Sequence, residues 1–390
     1  MADYDVVVIG AGPAGSGVAK VCAKAGLSVI VYEKMPAPFA VKRCAEGLMG
    51  GFERDYGKVP KKCIAQDISG AVFVAPDNRR FAFKMSGVGG YVLNRKFFDP
   101  WLNEVAMKEG AEFHMNTTVS DVIKENGFVK GVKIAGKGGE KEVASNVVVS
   151  AEGVESVVAR KAGLNTLSLM DNLWSAYQVK MEDIELEDSH KLYFYFGKTV
   201  APRGYLWIFP KGDDSANVGL GIDPRLGMAK DHLMRFIEKT PSLKKGRITE
   251  PNTGAIPSGG FLKNMVLDGF AVAGDSAHQV NPIHGGGIIE AYTAGNILGN
   301  VIVECAEKGD FSAKSLSKYN ELWWEKHGKN LRNAEKIRDI ALGLSDEDLG
   351  AIFENTSFDD AINVSEGSLK VAVKLLMKNP KLAFLAAKLL

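Results

Sequence analysis

The hexapeptide Gly10-Ala11-Gly12-Pro13-Ala14-Gly15 constrains this chain more than any other feature, because its neighbours on both sides complete a β-α-β unit. Asp5 to Ile9 (Asp-Val-Val-Val-Ile) is a continuous apolar run rich in β-branched residues, which reads as a strand buried on both faces. Ser16 to Ala25 carries helix-compatible apolar spacing, and Gly26 ends it. A second apolar strand, Ser28 to Tyr32, closes on Glu33. In such a unit Gly10 permits the tight turn, Gly12 with Ala14 beside it lets a pyrophosphate reach the backbone, and Gly15 lets helix and strand pack closely. The helix N-terminus then offers the phosphates free N–H groups and the positive end of its dipole. Glu33, eighteen residues beyond Gly15, makes a carboxylate available to a ribose hydroxyl. The expectation is a dinucleotide site. NAD and FAD share the ADP half that this fingerprint recognises, so the hexapeptide does not separate them.

Size and composition narrow what surrounds that site. At 390 residues the chain exceeds one typical domain, and two lobes are expected. Forty-eight basic residues against forty-seven acidic ones leave a net charge of +1, which gives no support for nucleic-acid binding. Cys22, Cys44, Cys63 and Cys305 are irregularly spaced, so they signal neither a zinc site nor a disulfide framework and suit a reduced, cytoplasmic setting. The first residues enter a strand without the regions of a signal peptide. No run approaches the roughly 18 apolar residues that span a bilayer. The expected protein is soluble, or sits on a membrane without crossing it.

Further along, Ala176–Met181, Lys191–Phe196, Gly204–Phe209 and Ala216–Ile222 are β-rich runs separated by turn residues, with no helix between them long enough for a parallel crossover. They predict an antiparallel sheet in a second lobe. From Asp268 the parallel signature returns with Phe270-Ala-Val-Ala-Gly, followed by glycines and a long helix from about Ile288 to Glu307. The first lobe is therefore discontinuous. The tail beyond about Lys336 reads as helices.

Val272-Ala273-Gly274-Asp275-Ser276-Ala277 resembles the strand ending in Gly-Asp of the FAD-dependent p-hydroxybenzoate hydroxylase-like superfamily, and the resemblance puts Asp275 on the ribityl chain of FAD. Pro282 to Ile288 then opens a helix whose N-terminus, at Gly286, Gly287 and Ile288, would lie near the flavin ring. Backbone N–H groups there can stabilise negative charge on reduced flavin. Within that superfamily the chain resembles the geranylgeranyl reductases, specifically the archaeal digeranylgeranylglycerophospholipid reductases, over most of its length. The segments that carry this are Arg43-Cys44-Ala45-Glu46-Gly47, Gly90-Tyr91-Val92-Leu93-Asn94-Arg95 with Phe98-Asp99, and Gly204-Tyr205-Leu206-Trp207-Ile208-Phe209-Pro210, the last holding the family's Tyr-x-Trp-x-Phe-Pro motif. The resemblance implies that Arg43, Cys44, Ala45 and Gly47 line the flavin and the substrate cavity. It also implies that Arg95 lies beside the FAD phosphates and that the backbone of Val119 meets the adenine.

Read on their own, Tyr205, Trp207 and Phe209 alternate along one strand and point to one face. That face suits an apolar substrate or forms the core of the second lobe. Cys44 is either a buried small hydrophobe or a thiol able to donate a proton near the flavin. His284, in the glycine segment, is either a loop residue or a second proton source. Where many relatives carry Asp-Gly, this chain has Glu152-Gly153, and the longer side chain argues against direct NADPH use.

At the C-terminal end, Lys370, Lys374, Lys378, Lys381 and Lys388 would fall within an arc of about 80° on one unbroken helix. That is a narrow basic stripe on an apolar body, as in a helix lying in a membrane interface or in helices docked on the protein with lysines outward. Pro380 should break it in two.

The resulting expectation is an α/β protein with a Rossmann-like FAD-binding domain (1–65 with 93–165 and 264–330), an α+β second lobe built on an antiparallel sheet for the substrate (66–92 with 166–263), and a C-terminal helical region (331–390). Its activity would be FAD-dependent saturation of geranylgeranyl chains on a long-chain prenylated lipid. An external donor (ferredoxin, deazaflavin or nicotinamide) would supply the electrons, with peripheral membrane contact and a cytoplasmic location. A flavin monooxygenase on the same fold is the alternative reading.

Overall fold

A computed structural model describes residues 2–36, 44–85, 89–136 and 139–389. The apolar run near the N-terminus forms the strand Tyr4–Ile9 at the centre of a parallel sheet, flanked by Val29–Tyr32 and Gly139–Ser150. Glu112–His114 and Phe270–Val272 extend it on either side, both parallel, and Val266–Leu267 closes one edge antiparallel. Val6, Val7, Val8, Val147, Val148 and Val149 are all fully buried, as a sheet covered on both faces requires. Phe270 pairs with Val148, so a strand more than 100 residues later in sequence completes the first lobe. The helix Pro13–Lys24 begins three residues before Ser16, because proline is tolerated in a first turn, where its missing N–H costs no bond. It crosses the helix Ile288–Lys308 closely: a Cβ on Gly295 would lie 2.2 Å from the Ala14 carbonyl oxygen.

The second sheet has seven strands, in the order Arg247–Pro257, Leu173–Glu182, Ala216–Ile222, Tyr205–Pro210, Lys191–Tyr195, Gly70–Val74 and Arg80–Lys84. Five of its six pairings are antiparallel, as expected. The sixth, between Gly70–Val74 and Lys191–Tyr195, is parallel. The chain between these two strands passes through much of the first lobe, and a crossover of that length is what parallel pairing needs. Gly47–Met49, Gly90–Leu93 and Ile64–Ile68 form a small third sheet, antiparallel throughout.

The C-terminal part is helical: Lys329–Ala341, Asp346–Glu354, Phe358–Ser365, Leu369–Met377 and Ala383–Ala386. Ser345 with Asp348 and Ser357 with Asp360 close capping boxes at two of these helices. Of the two readings of the lysine stripe, the structure adopts the docked one. Ala372, Leu376, Leu382, Ala386 and Leu389 are buried in a cluster with Ile337 and Leu344. Lys374 pairs with Asp360 at 3.3 Å, Lys381 with Glu347 at 3.3 Å, and the Lys378 ammonium donates to the Asn355 carbonyl at 3.0 Å. The helix stops just before Pro380, as proline requires. No helix among the described residues is long and apolar enough to cross a membrane.

Candidate active site

The three glycines of the opening turn meet three different surroundings. Gly10 has φ +102°, and a Cβ there would stand 2.3 Å from the Ala151 carbonyl oxygen, so no larger residue fits. A Cβ on Gly15 would lie 1.9 Å from the Gly10 oxygen, whereas one on Gly12 would meet nothing within 4 Å. Gly12 thus faces open space at a helix N-terminus that no side chain caps. Orphan N–H groups beside such a space fit a pyrophosphate. The buried Glu33 carboxylate accepts from the backbone N–H of Ala11 at 3.0 Å and of Met35 at 2.8 Å, clamping the turn to the end of the second strand. Thr117 N–H donates to the Glu33 carbonyl at 2.8 Å, which brings the buried Val119 and its strand alongside.

A single cavity of about 1130 Å³ begins at Gly12 and Ala14. It is lined by Cys44, Ala45, Gly47, Arg95, Asp275, His284, Gly286, Gly287 and Ile288, and on its far side by Tyr205, Trp207 and Phe209. The volume exceeds the roughly 300–1,000 Å³ usual for one small ligand, and so has room for a cofactor and a second molecule. Gly10, Gly15, Glu33 and Val119 do not line it, and Arg43 lies outside the described residues.

Asp275 follows the strand Phe270–Val272 in a short turn, Gly274–Ala277. A Cβ on Gly287 would lie 3.2 Å from Asp275 Oδ1, so the carboxylate stands against the start of the long helix. Burial pushes its carboxyl up, and Arg95 and then His278 oppose that shift. The buried Arg95 guanidinium is gripped by Asp99, through Nε and through Nη2 at 2.9 Å. Burial works against its charge, but the Asp99 carboxylate, helped by Glu46, outweighs burial and holds its pKa raised. Arg95 lines the same cavity as Gly12 and Ala14. Glu46, at φ +72°, ties this region together: it accepts from Arg95 N–H at 2.9 Å and from Asn217 at 2.8 Å, and pairs with Lys211.

The aromatic strand divides its side chains as alternation predicts. Leu206 and Ile208 enter the core of the second lobe with Leu233 and Ile237, while Trp207 and Phe209 join a separate cluster against Tyr205 and Phe194. This cluster is both buried packing and cavity wall, so the two readings of these rings coexist. A Cβ on Gly219 would come within 2.6 Å of the Trp207 ring; the glycine on the neighbouring strand leaves the indole its place. The Trp207 indole N–H donates to Gln178 Oε1 at 2.9 Å, and Gln178 Nε2 donates to the Cys44 carbonyl at 3.0 Å.

Cys44, His284 and Glu290 are among the cavity groups that can carry a proton. Burial raises the Cys44 thiol pKa, with Arg95 pulling the other way, and Glu46 N–H donates to its sulfur at 3.2 Å. His284 accepts from Gly286 N–H at 3.0 Å through Nδ1. Its ring opens onto the cavity and is exposed there, while the protein packed around it pushes its pKa down to about 4. The third group, Glu290, was not anticipated: it lies in the first turn of Ile288–Lys308, where burial, aided by Asp275, raises its carboxyl to about 7. Gln178 and Glu290 carry no motif signal, since one acts from two strands away and the other stands out only once buried. Glu152 faces elsewhere, accepting from Val158 and Ala159 N–H, each at 3.1 Å, at the start of the helix Val157–Ala162.

Residues 172–256 match the family model described as geranylgeranyl reductase catalytic domain, and residues 5–188 match that of lycopene cyclase protein. The chain is 39% identical to digeranylgeranylglycerophospholipid reductase 2 of Methanococcoides burtonii, covering 97% of this chain and 93% of that one. It is 38% identical to digeranylgeranylglycerophospholipid reductase of Methanocella arvoryzae, covering 97% of each. The crystal structure of a geranylgeranyl bacteriochlorophyll reductase-like protein from Thermoplasma acidophilum superposes with a TM-score of 0.90 at 32% identity, over 99% of both chains.

Proposed function

The chain belongs to the digeranylgeranylglycerophospholipid reductase family, and from that premise we propose that it is an FAD-dependent reductase that saturates the geranylgeranyl chains of archaeal-type membrane phospholipids. The observation that carries this reading is one continuous cavity in which a dinucleotide cradle meets an aromatic wall. Bound and reduced, FAD supplies a hydride to one alkene carbon while a proton goes to the other.

The residues present fit that cofactor. Gly12 faces the pyrophosphate, Gly10, Gly15 and Glu33 shape the turn that holds the ADP half, and Val119 lies on the adenine side. Arg95 balances the phosphates and Asp275 meets the ribityl chain. Ala14, Ala45 and Gly47, with the N–H groups of Gly286, Gly287 and Ile288, border the ring. Tyr205, Trp207 and Phe209 orient the prenyl chain and exclude water, which keeps the reacting carbons in near-attack geometry. An isolated alkene accepts hydride poorly, so the protonating group matters. His284, neutral well below pH 7, is ill suited to donate. The Cys44 thiol keeps its proton, and Glu290 exchanges one near neutrality.

In this reading residues 1–65, 93–165 and 264–330 form the FAD-binding domain, 66–92 and 166–263 the substrate domain, and 331–390 the helical region. Electrons come from an external donor of the ferredoxin, deazaflavin or nicotinamide class. The protein works on the cytoplasmic side, in peripheral contact with the membrane that holds its substrate.

The test is anaerobic incubation of chemically reduced enzyme with a geranylgeranylated phospholipid. Products should be heavier by two mass units per double bond. Products heavier by sixteen units, formed only with oxygen, would replace the reductase with a monooxygenase.

A further inference from the structure

We propose that the enzyme docks on the phospholipid bilayer through two apolar loops, residues 164–172 and 223–228, at the end of the second sheet where Lys198, Arg203 and Gly204 line the cavity. The choice of a bilayer as occupant rests on the lipid-reductase reading above. Thirteen large apolar side chains are exposed among the described residues, and five of them fall on these two loops. They are Leu167, Leu169, Met170, Leu226 and Met228, from 46% exposed at Leu226 to 71% at Leu169. Scattered single apolar residues need no explanation, whereas a contiguous group marks a binding surface.

The group is contiguous because ion pairs join the loops. Arg225 reaches Asp171 on the first loop at 2.7 Å and Asp223 on the second at 2.5 Å. Arg203, in the segment before the aromatic strand, joins the same Asp223 at 3.1 Å. Strand register then fixes which end of the sheet this is. Ser175, at the start of its strand, lies opposite Ile222 at the end of the next, and Tyr205 opens its strand opposite Gly221. Residues 172, 204 and 223 therefore sit at one sheet end. Lys198, Ala201, Arg203, Gly204 and Trp174 line the cavity at that same end.

The chemistry of this rim suits a lipid surface. The apolar tips enter the acyl boundary, while the polar rim around them, with Lys198, Arg203, Arg225 and Lys230 balanced by Asp171, Asp223, Asp231 and Asp346, stays at headgroup level. A prenyl chain can then pass from bilayer to cavity without crossing water. A protein partner seated on the same loops would instead cover this end of the sheet. The C-terminal lysine stripe is the weaker candidate, since its apolar face is already buried and three of its lysines are engaged within the protein.

The experiment is co-sedimentation of FAD-loaded enzyme with phosphatidylglycerol–phosphatidylcholine vesicles. It compares wild type, the double variant Leu169→Glu with Met228→Glu, and a tail variant, Met377→Glu with Phe384→Glu. The loop variant should lose vesicle binding by about tenfold or more with its flavin absorbance unchanged, and the tail variant should bind as wild type does. The loop variant should also reduce detergent-dispersed lipid at the wild-type rate but slow sharply on lipid in vesicles. Wild-type enzyme that does not bind vesicles, or binding lost only in the tail variant, overturns the proposal. So does a wild-type dimer in sedimentation equilibrium that the loop variant dissolves without any change in vesicle binding. If the vesicle pattern holds while wild type reduces neither form of lipid, the lipid-reductase reading fails and the docking surface stands.

Discussion

Glu290 is half-buried, yet the protein packed around its carboxyl disfavours the charged form, and the pH response follows from that. Its folded pKa, raised to about 7, lies above the unfolded value near 4.3, so the fold favours the protonated form. The associated stability is fully present below about pH 4 and is lost as pH rises through 7. Glu290→Gln should therefore melt at a temperature that changes less between pH 5 and 8 than wild type does, a difference on the order of 1–3 kcal/mol. If Glu290 delivers the proton, wild-type turnover should also fall above about pH 7, while the Gln variant is slower and flat across that range. A calorimetric series and a pH–rate profile decide both points, and equal pH dependence in the two proteins would remove Glu290 from the chemistry. Glu33 was legible in the sequence because its spacing from the glycines is fixed by the β-α-β unit. Glu290 was not, because a glutamate two residues into a helix is ordinary until tertiary packing buries it.

Alternation along the aromatic strand told which side chains share a face, and Leu206 and Ile208 indeed enter one core while Trp207 and Phe209 join another. What alternation cannot give is lateral partnership. Gln178 sits on a strand separated from Trp207 by Ala216–Ile222, yet it links the indole to the Cys44 loop. Trp207→Ala should cost about 3–5 kcal/mol in stability and leave the Gln178 amide with one partner fewer. Turnover should fall at least tenfold with FAD retained, since the loss falls on alkene placement. Steady-state rates beside the flavin-to-protein ratio check this, and loss of flavin in step with activity would mean that the strand serves cofactor binding instead. The same limit applies to the parallel pair in the second sheet and to the lysine stripe. Local pattern gives a face, and only tertiary packing chooses its neighbour.

At the scale of the molecule, the cavity is assembled from distant parts of the chain: the N-terminal turn, the second sheet, the segment from Asp275 to Ile288, and the C-terminal helices. That the last of these would wall the cavity was not legible, because an amphipathic helix does not announce what it will cover. Phe353 seats its helix on Phe196, Phe73 and Phe81, with ring centroids 4.9, 5.7 and 6.1 Å apart. Phe353→Asp should loosen this wall at a cost of about 3–5 kcal/mol. In stopped-flow measurements its reduced flavin should reoxidise in air faster than wild type, while lipid turnover falls. An unchanged reoxidation rate would show that these helices do not shield the site.

Ile337, Leu376 and Leu389 line the cavity beside residues as early as Gly12. A ribosome delivers those early residues, the second sheet and the Asp275 turn before it delivers 337–389. Until then the growing chain lacks the part of the cavity wall that those helices supply. That part of the wall is therefore the last part of the site to be made, completed by residues close to the end of the sequence.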